Sequence, residues 1–259
     1  MYNIKVIEYP TGVQIRVYER AVKEEYWNCD EWGEIAERVE HENTGETDRE
    51  RSVKVSADRS LQTVYKYARA NIWEWFFTLT FNPEKVDSFN YDEVTKHLSK
   101  WLNNLRRTCP DMKYLCVPEK HQTGRYHFHG LFANVGQLDF ITSGHYDATG
   151  HEIYNIGNYK LGFSTAVRIG DTLDDSAKVS SYLAKYITKD LTEGTIGKRR
   201  YWASRNLDLP NEYILELPHK DKRQLCRELL AECTWHKAVD GDIQKVDYFE
   251  LLKMPTLNG

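Results

Sequence analysis

Residues 124–132 constrain this chain more than any other stretch, because they place two histidines on one predicted strand. The stretch is rich in aromatic residues and has turn-forming residues on both sides, a pattern that predicts a β-strand. Side chains two apart point to the same face of a strand, so His127 and His129 project together while Phe128 faces away. Two imidazoles side by side make half of a metal site. An isolated His-x-His is more often an ordinary solvent-facing pair, so its neighbours must decide.

Composition limits the class of protein. The 259 residues are 41% hydrophobic and 29% charged, which predicts a globular chain with a substantial core. No apolar run approaches the length of a membrane-spanning helix and the N-terminus lacks a signal-peptide pattern, so we expect a cytoplasmic protein with no membrane partner. Five cysteines without a Cys-x-x-Cys pair suit free thiols. With a net charge of −4, any nucleic-acid binding must use a local basic surface.

Local patterns predict mixed strands and helices. Dense or alternating β-forming runs predict strands at 73–81, 113–119, 163–169 and, less clearly, 198–202, with 113–119 pairing antiparallel to the histidine strand. Apolar spacings of three and four predict helices at 60–70, 91–107, 176–189 and 222–233. Hairpins are expected at 4–18 and 239–251, a largely loop-like segment at 136–158, and an exposed acidic linker at 19–50.

Three of these elements together resemble a known motif set. They are the strand Phe77-Thr78-Leu79-Thr80-Phe81, the His127-Phe128-His129 strand, and a tyrosine-bearing helix with trailing lysines, in this order. The combination resembles the HUH endonucleases that initiate rolling-circle replication, specifically the initiators of small single-stranded-DNA phages and related bacterial plasmids. The resemblance covers roughly residues 60–189. No Gly-x-x-x-x-Gly-Lys-Ser/Thr loop occurs, so a helicase domain is not expected.

The resemblance implies a fold. We expect an α+β protein with a central antiparallel sheet of about five strands, the His-x-His strand in its middle and helices flanking it, as in ferredoxin-like and RRM-like domains. Expected domains are an N-terminal hairpin and acidic segment (1–58), the HUH endonuclease domain (59–209) and a C-terminal extension (210–259).

The metal site follows from the residues themselves. Glu119, on the strand expected to pair with the histidine strand, is a carboxylate candidate beside His127 and His129. Mixed nitrogen and oxygen ligands suit Mn²⁺ or, more loosely, Mg²⁺, and Zn²⁺ would bind too. His121, at the expected turn, is the alternative ligand.

The resemblance implies a nucleophile on the third element. Tyr182 and Tyr186 are four apart and share a helix face, and Lys185 and Lys189 each follow a tyrosine by three. A lysine there can hold phosphate or lower the pKa of the phenol. The Ala-Lys-Tyr-x-x-Lys form of single-tyrosine relatives selects Tyr186 as the first nucleophile and Tyr182 as the second. The expected product is a 5′-phosphotyrosine link with a free 3′-OH, which is later rejoined.

Basic and aromatic residues are candidates for contact with single-stranded origin DNA. They are Lys120, Arg125, Lys178, Lys198, Arg199, Arg200 and Trp202, with Tyr201 as a second stacking candidate. A host helicase and polymerase in a bacterial cytoplasm are the further expected partners. The alternatives are an HUH transposase, a DNA-binding module without catalysis and an unrelated metalloprotein.

Overall fold

A computed structural model describes residues 1–23, 45–170, 178–180, 182–183, 198–240 and 244–252, with the side chains of residues 45–55 and 58 left aside. The chain divides into two compact units, one formed by Met1–Arg49 and Pro210–Gly259 and the other by Glu50–Leu209. Among the described residues, no helix is both long enough and apolar enough to cross a membrane.

Strands and helices alternate along the chain, and the strands form two antiparallel sheets. The described strands are β1 Tyr2–Tyr9, β2 Gly12–Val22, β3 Trp75–Leu79, β4 Lys113–Lys120, β5 Tyr126–Ala133, β6 Phe140–Tyr146, β7 Glu152–Ile156, β8 Ser164–Arg168, β9 Trp202–Ala203, β10 Asn211–Leu215, β11 Trp235–Asp240 and β12 Lys245–Leu252. The described helices are α1 Gly45–Ala70, α2 Tyr91–Thr108 and α3 His219–Glu232, together with helical residues 178–180 and 182–183, here called the tyrosine segment. The predicted α+β class is confirmed.

The unit Glu50–Leu209 contains a seven-stranded sheet in the order β6-β7-β8-β3-β5-β4-β9. The His-x-His strand β5 lies inside this sheet, between β3 and β4, and both pairings are antiparallel. The expected hairpin of β4 with β5 is therefore present. Residues 128–132 of β5 are paired on both sides, which makes the strand a rigid support for side chains.

One face of this sheet packs against α2. The helix begins at its N-cap Asn90, whose side chain accepts hydrogen bonds from the backbone of Asp92 and Glu93. Apolar residues three and four apart then face the sheet, including the fully buried Leu98. They meet the fully buried Phe128, which points away from the histidines as the strand period requires.

The opposite face of the sheet carries a separate core. Val64 and Ala68 of α1 lie there with Leu115 of β4, Leu131 of β5 and Leu183 of the tyrosine segment, all essentially inaccessible to solvent. Because Leu131 and His129 are two apart on β5, this is also the face of the histidines.

The sheet is wider than the five strands expected. The two additional strands, β6 and β7, come from the segment expected to be largely loop. Their outer residues are mostly exposed, so apolar alternation was weak, but Phe140 stacks on Trp75 with ring centroids 4.1 Å apart and anchors the hairpin. The strand expected at 198–202 is limited to β9, and α1 begins at Gly45 rather than near Ser60.

The other unit is built on a five-stranded sheet in the order β10-β1-β2-β12-β11. The N-terminal hairpin thus pairs on both sides with strands from the C-terminal segment. Helix α3 covers one part of it, where Leu229 packs with Ile4, Val17 and Phe249. The predicted C-terminal helix and hairpin are both present in this unit.

Candidate metal centre

The centre is assembled by the register of β4 and β5. Glu119 lies directly opposite His127 in the antiparallel ladder, so the carboxylate and the imidazole project on the same face. His129 follows two residues later on the same strand and shares that face. A shift of the ladder by one residue would send Glu119 to the other face. The pairing of these two strands therefore fixes the cluster.

The three side chains converge on one carboxylate oxygen. Oε2 of Glu119 lies 2.7 Å from Nε2 of His127 and 2.8 Å from Nε2 of His129. One ligand atom from each residue lies within 4.8 Å of the other two. The side chains are 8–13% exposed, so the cluster is largely shielded from water yet still accessible from one side.

His129 is contacted at its second nitrogen as well. The hydroxyl of Thr78, the residue paired with it on β3, lies 3.1 Å from Nδ1. With Nε2 turned to the cluster, Nδ1 carries the proton and donates it to the hydroxyl oxygen. On the same face, the ring of Phe76 stacks on the His129 ring at 5.7 Å. Thr78 and Phe76 together set the tautomer and the orientation of this imidazole.

The donor set suits a divalent cation. Two imidazole nitrogens and a carboxylate oxygen are ligands that Mn²⁺ and Zn²⁺ accept and Mg²⁺ tolerates. Two ligands at right angles and about 2.1 Å from one ion lie about 3 Å apart, close to the separations between Glu119 and the two histidines. Three protein ligands leave coordination positions for water or substrate. Glu119, His127 and His129 can therefore hold a divalent metal, whose identity the donors leave open.

His121 lies next to this cluster but outside the group of three. It sits in the turn between β4 and β5, which Gly124 closes with a φ of +84°. Its Nδ1 lies 3.1 Å from the hydroxyl of Thr123, and its ring centroid lies 6.1 Å from that of His127.

The tyrosine segment lies on the cluster's face of the sheet. The Ser180 hydroxyl donates to the carbonyl of Ala68 at 2.9 Å and Leu183 is buried in the core of that face, which ties the segment to α1 and the sheet. Tyr182 is 46% exposed, and its ring lies 5.5 Å from the ring of Phe76. Phe76 thus contacts both the Tyr182 ring and the His129 ring. The predicted residues Tyr186, Lys185 and Lys189 lie outside the described residues.

Two of the predicted DNA-binding residues flank the turn beside the cluster. Lys120 and Arg125 are exposed and lie over the rings of Tyr126 and Phe89, at 5.8 and 5.5 Å from the ring centroids. Phe89 is itself 55% exposed. Lys178, at the start of the tyrosine segment, is also exposed. All three cations are accessible to a DNA strand.

The predicted residues 198–202 divide into surface and interior. Arg199 is exposed and Lys198 partly so, whereas Arg200 is buried. Trp202 is 4% exposed, donates its indole N–H to the Ser99 hydroxyl at 3.2 Å and packs edge-on against Phe128. Packing against the α2 face accounts for Trp202, which has no face free for a base, and we leave it out of the proposed interface.

Sequence reasoning included Thr78 only as part of a strand motif and missed its contact with His129. The available signal was its place on a strand next to the histidine strand. That signal becomes usable only when the register is known. Phe89 was missed because an aromatic residue in a short loop carries no pattern.

Comparison with known families bears on this segment of the chain. Residues 74–191 match the model of the replication-associated protein ORF2 family. The match covers less than half of the chain and includes Glu119, both cluster histidines and both tyrosines. It confirms the predicted resemblance to replication initiators at the level of the family and supports a role in DNA replication. No curated protein and no solved structure was found to match.

Proposed function

Because residues 74–191 match a replication-associated family, we propose that this protein is a replication initiator that nicks single-stranded origin DNA through a tyrosine and later rejoins the strand. One observation carries the proposal. The Glu119 carboxylate and two imidazoles converge on the sheet face that also carries Tyr182, within the matched segment. A metal donor set and a nucleophile candidate on one face are what phosphodiester cleavage requires.

The cluster residues hold the cation in this proposal. A bound Mn²⁺ or Mg²⁺ supplies Lewis-acid neutralisation of a phosphate oxygen. Glu119 and His127 come from paired positions of two strands, so they keep the binding site in a fixed place on the sheet. Thr78 keeps His129 in the tautomer whose Nε2 lone pair is available. The site is thus organised before DNA arrives.

The chemical step is a transfer to tyrosine. The phenol oxygen attacks the phosphorus and loses its proton to solvent, a phosphotyrosine bond forms to the 5′ phosphate, and the bond to the 3′ oxygen breaks. The leaving oxygen takes a proton and becomes a free 3′-OH, which a host polymerase extends. Rejoining is the reverse reaction, in which a 3′-OH attacks the phosphotyrosine and releases the phenol. Because the phosphotyrosine bond keeps the energy, no nucleotide cofactor is needed.

The choice of tyrosine rests on the resemblance of the helix. Tyr186 is the proposed first nucleophile and Tyr182 the second, with Lys185 and Lys189 stabilising the phenolate or the phosphate. Unperturbed tyrosine has a pKa of about 10, so a neighbouring cation is needed near neutral pH. The half-exposed position of Tyr182 beside Phe76 is compatible with the second role.

The DNA is held by local cations, since the chain as a whole carries a net charge of −4. Lys120 and Arg125 at the β4–β5 turn, together with Lys178, are the proposed contacts nearest the cluster. Binding of this kind weakens as salt rises, because phosphate contacts release counterions. A host helicase separates the strands, and the protein acts in the cytoplasm of a bacterial host.

A nicking assay tests the proposal. A pool of single-stranded oligonucleotides with a randomised centre is incubated with the protein in Mn²⁺ or in EDTA. We expect cleavage only with Mn²⁺, loss of cleavage in His127→Ala and His129→Ala, and full cleavage in the control His145→Ala, whose imidazole is exposed on β6. Cleavage by the His127→Ala and His129→Ala variants at the wild-type rate, or equal cleavage of relaxed duplex, would refute the proposal.

A further inference from the structure

A polar cleft of about 300 Å³ opens on the unit Glu50–Leu209, apart from the histidine cluster. Its walls are the α1 residues Ser56 and Ser60 and the chain that leads into β9, namely Lys198, Arg199, Arg200 and Tyr201. Three consecutive cations thus face two hydroxyl-bearing residues. A cleft with this lining favours an anion.

Arg200 is the unusual member of this set. It is 8% exposed, and its Nη1 is shielded from solvent without a hydrogen-bond partner among the residues that the structure describes. Burial lowers the pKa of its guanidinium, which shows that the surroundings compensate the charge poorly. A buried donor without an acceptor costs free energy. An anion entering the cleft would supply the missing acceptor.

The neighbouring cations are held in place by contacts of their own. Lys198 pairs with Asp92 at 3.1 Å and lies 5.2 Å from the centroid of the Tyr91 ring. Arg199 donates from Nε to the carbonyl of Tyr201 at 2.9 Å, and its own carbonyl accepts a hydrogen bond from the Tyr91 hydroxyl. The cleft is therefore built before a ligand arrives, and Asp92 offsets only one of its three positive charges.

The position of the cleft relates it to the metal centre. Residues 198–201 lead directly into β9, which pairs with β4 at Leu115 and Cys116, and Glu119 lies three residues farther along β4. A row of rings continues along this edge, since the Tyr91 ring lies 5.1 Å from the Tyr126 ring and Tyr126 precedes His127. A strand bound at the cleft can therefore extend toward the cluster.

We propose that this cleft binds one backbone phosphate of the single-stranded DNA, with Arg200 as the principal ligand and Lys198 and Arg199 as supporting charges. The assignment to DNA rests on the proposed function. The planar guanidinium matches the geometry of phosphate oxygens and forms paired, charge-assisted hydrogen bonds. The anchor fixes the strand at a point away from the scissile phosphate, so that the register of the strand over the cluster is set.

The test measures binding without chemistry. Fluorescence anisotropy with single-stranded oligonucleotides in EDTA gives the affinity at several salt concentrations. We expect Arg200→Gln to weaken binding about tenfold at low salt, as the loss of one charge-assisted contact does. The slope of log affinity against log salt should fall by about 0.7, the value for one phosphate on a single strand.

Matched variants keep the test valid whatever Arg200→Gln does to folding. The double variant Lys198→Gln/Arg199→Gln changes more accessible side chains and should also lower the slope. Its control is Arg106→Gln/Arg107→Gln in the last turn of α2, about 20 Å along the helix from Asp92, which should leave the slope unchanged. A slope unchanged in both cleft variants, with circular dichroism showing them folded, would overturn the proposal.

Two further arms identify the source of the phosphate. A neutral methylphosphonate moved along the oligonucleotide should weaken wild-type binding most at one linkage, and at that linkage should not weaken Arg200→Gln further. Competition by ATP that depends on Arg200, with a DNA slope that does not, would assign the cleft to a free nucleotide and overturn the proposal. Because every arm runs in EDTA, an absence of nicking counts against the proposed function alone, and an unchanged slope counts against the cleft alone.

Discussion

At the scale of single residues, the imidazole of His129 is determined from both sides. Glu119 approaches its Nε2 at 2.8 Å and Thr78 its Nδ1 at 3.1 Å. An imidazole held in this way keeps one tautomer and one ring orientation, which raises its value as a ligand. The hydroxyl of Thr78 is therefore a positioning group that never needs to touch the metal.

Replacing Thr78 tests that role. Thr78→Val keeps the shape and the strand preference of the side chain but removes the hydroxyl, so we expect Mn²⁺ affinity to fall about 10–100-fold. Glu119→Gln, which removes a ligand charge, should cost at least as much. The control is Thr165→Val, the residue opposite Thr78 on β8. Calorimetric titration with Mn²⁺ measures all three, and equal affinity in Thr78→Val and Thr165→Val would show that the hydroxyl has no such role.

The sequence is informative about the cluster because strand geometry is local. Two histidines separated by one residue must share a face of any strand, and Glu119 required only the pairing of neighbouring strands joined by a short turn. Trp202 was assigned to DNA by composition alone, whereas its burial depends on α2, which begins more than a hundred residues earlier. Contacts over such distances leave no pattern in a single sequence.

At the scale of elements, β5 depends on a position without a side chain. Gly130, next to His129, lies where an added Cβ would come within 2.6 Å of the Phe132 ring and 2.8 Å of the Cys116 sulfur. Both neighbours are fully buried and cannot move aside cheaply. The glycine permits the aromatic core to reach the centre of the sheet directly behind the cluster.

Gly130→Ala is therefore expected to lower the free energy of unfolding by about 1–3 kcal/mol through overpacking. Urea unfolding followed by circular dichroism measures the change. Gly136→Ala is the control, because a Cβ there meets nothing within 4 Å. If both variants unfold at the same urea concentration as the wild type, the core behind β5 is looser than described.

Elements were predictable where their own pattern was strong. The apolar face of α2 and the dense β-forming run of β3 appeared at nearly their predicted bounds. The hairpin of β6 and β7 was expected to be largely loop because its stability comes from Phe140 stacking on Trp75, a contact between distant segments. The early start of α1 at Gly45 was likewise missed, since its first turns carry few apolar residues.

At the scale of the whole molecule, buried tyrosines couple the core to pH. Burial raises the pKa of both Tyr91 and Tyr159, and each phenol donates to a backbone carbonyl. An unfolded tyrosine ionises near pH 10, so above that pH the unfolded chain releases protons that the folded chain keeps. Stability from these groups is therefore complete below about pH 10 and is lost as pH rises.

We expect the urea midpoint of the wild type to be level in these groups' contribution up to about pH 10 and to fall at higher pH. Tyr91→Phe keeps the ring and should reduce the fall by at most about 1.4 kcal/mol per pH unit. Tyrosine absorbance at 295 nm reports the ionisation in parallel. A variant with the same alkaline slope as the wild type would mean that Tyr91 ionises freely in the folded protein.

The central claim is that the tyrosine helix and the Glu119 cluster form one site for DNA strand transfer. The direct measurement is a covalent adduct on a denaturing gel, with wild type, Tyr182→Phe, Tyr186→Phe and the double variant each incubated in Mn²⁺ with single-stranded oligonucleotides labelled 3′ of a randomised centre. We predict an adduct in the wild type, its loss or strong reduction in Tyr186→Phe, and none in the double variant or in His127→Ala. An adduct that persists in the double variant would contradict the account, because the nucleophile would then lie elsewhere in the chain.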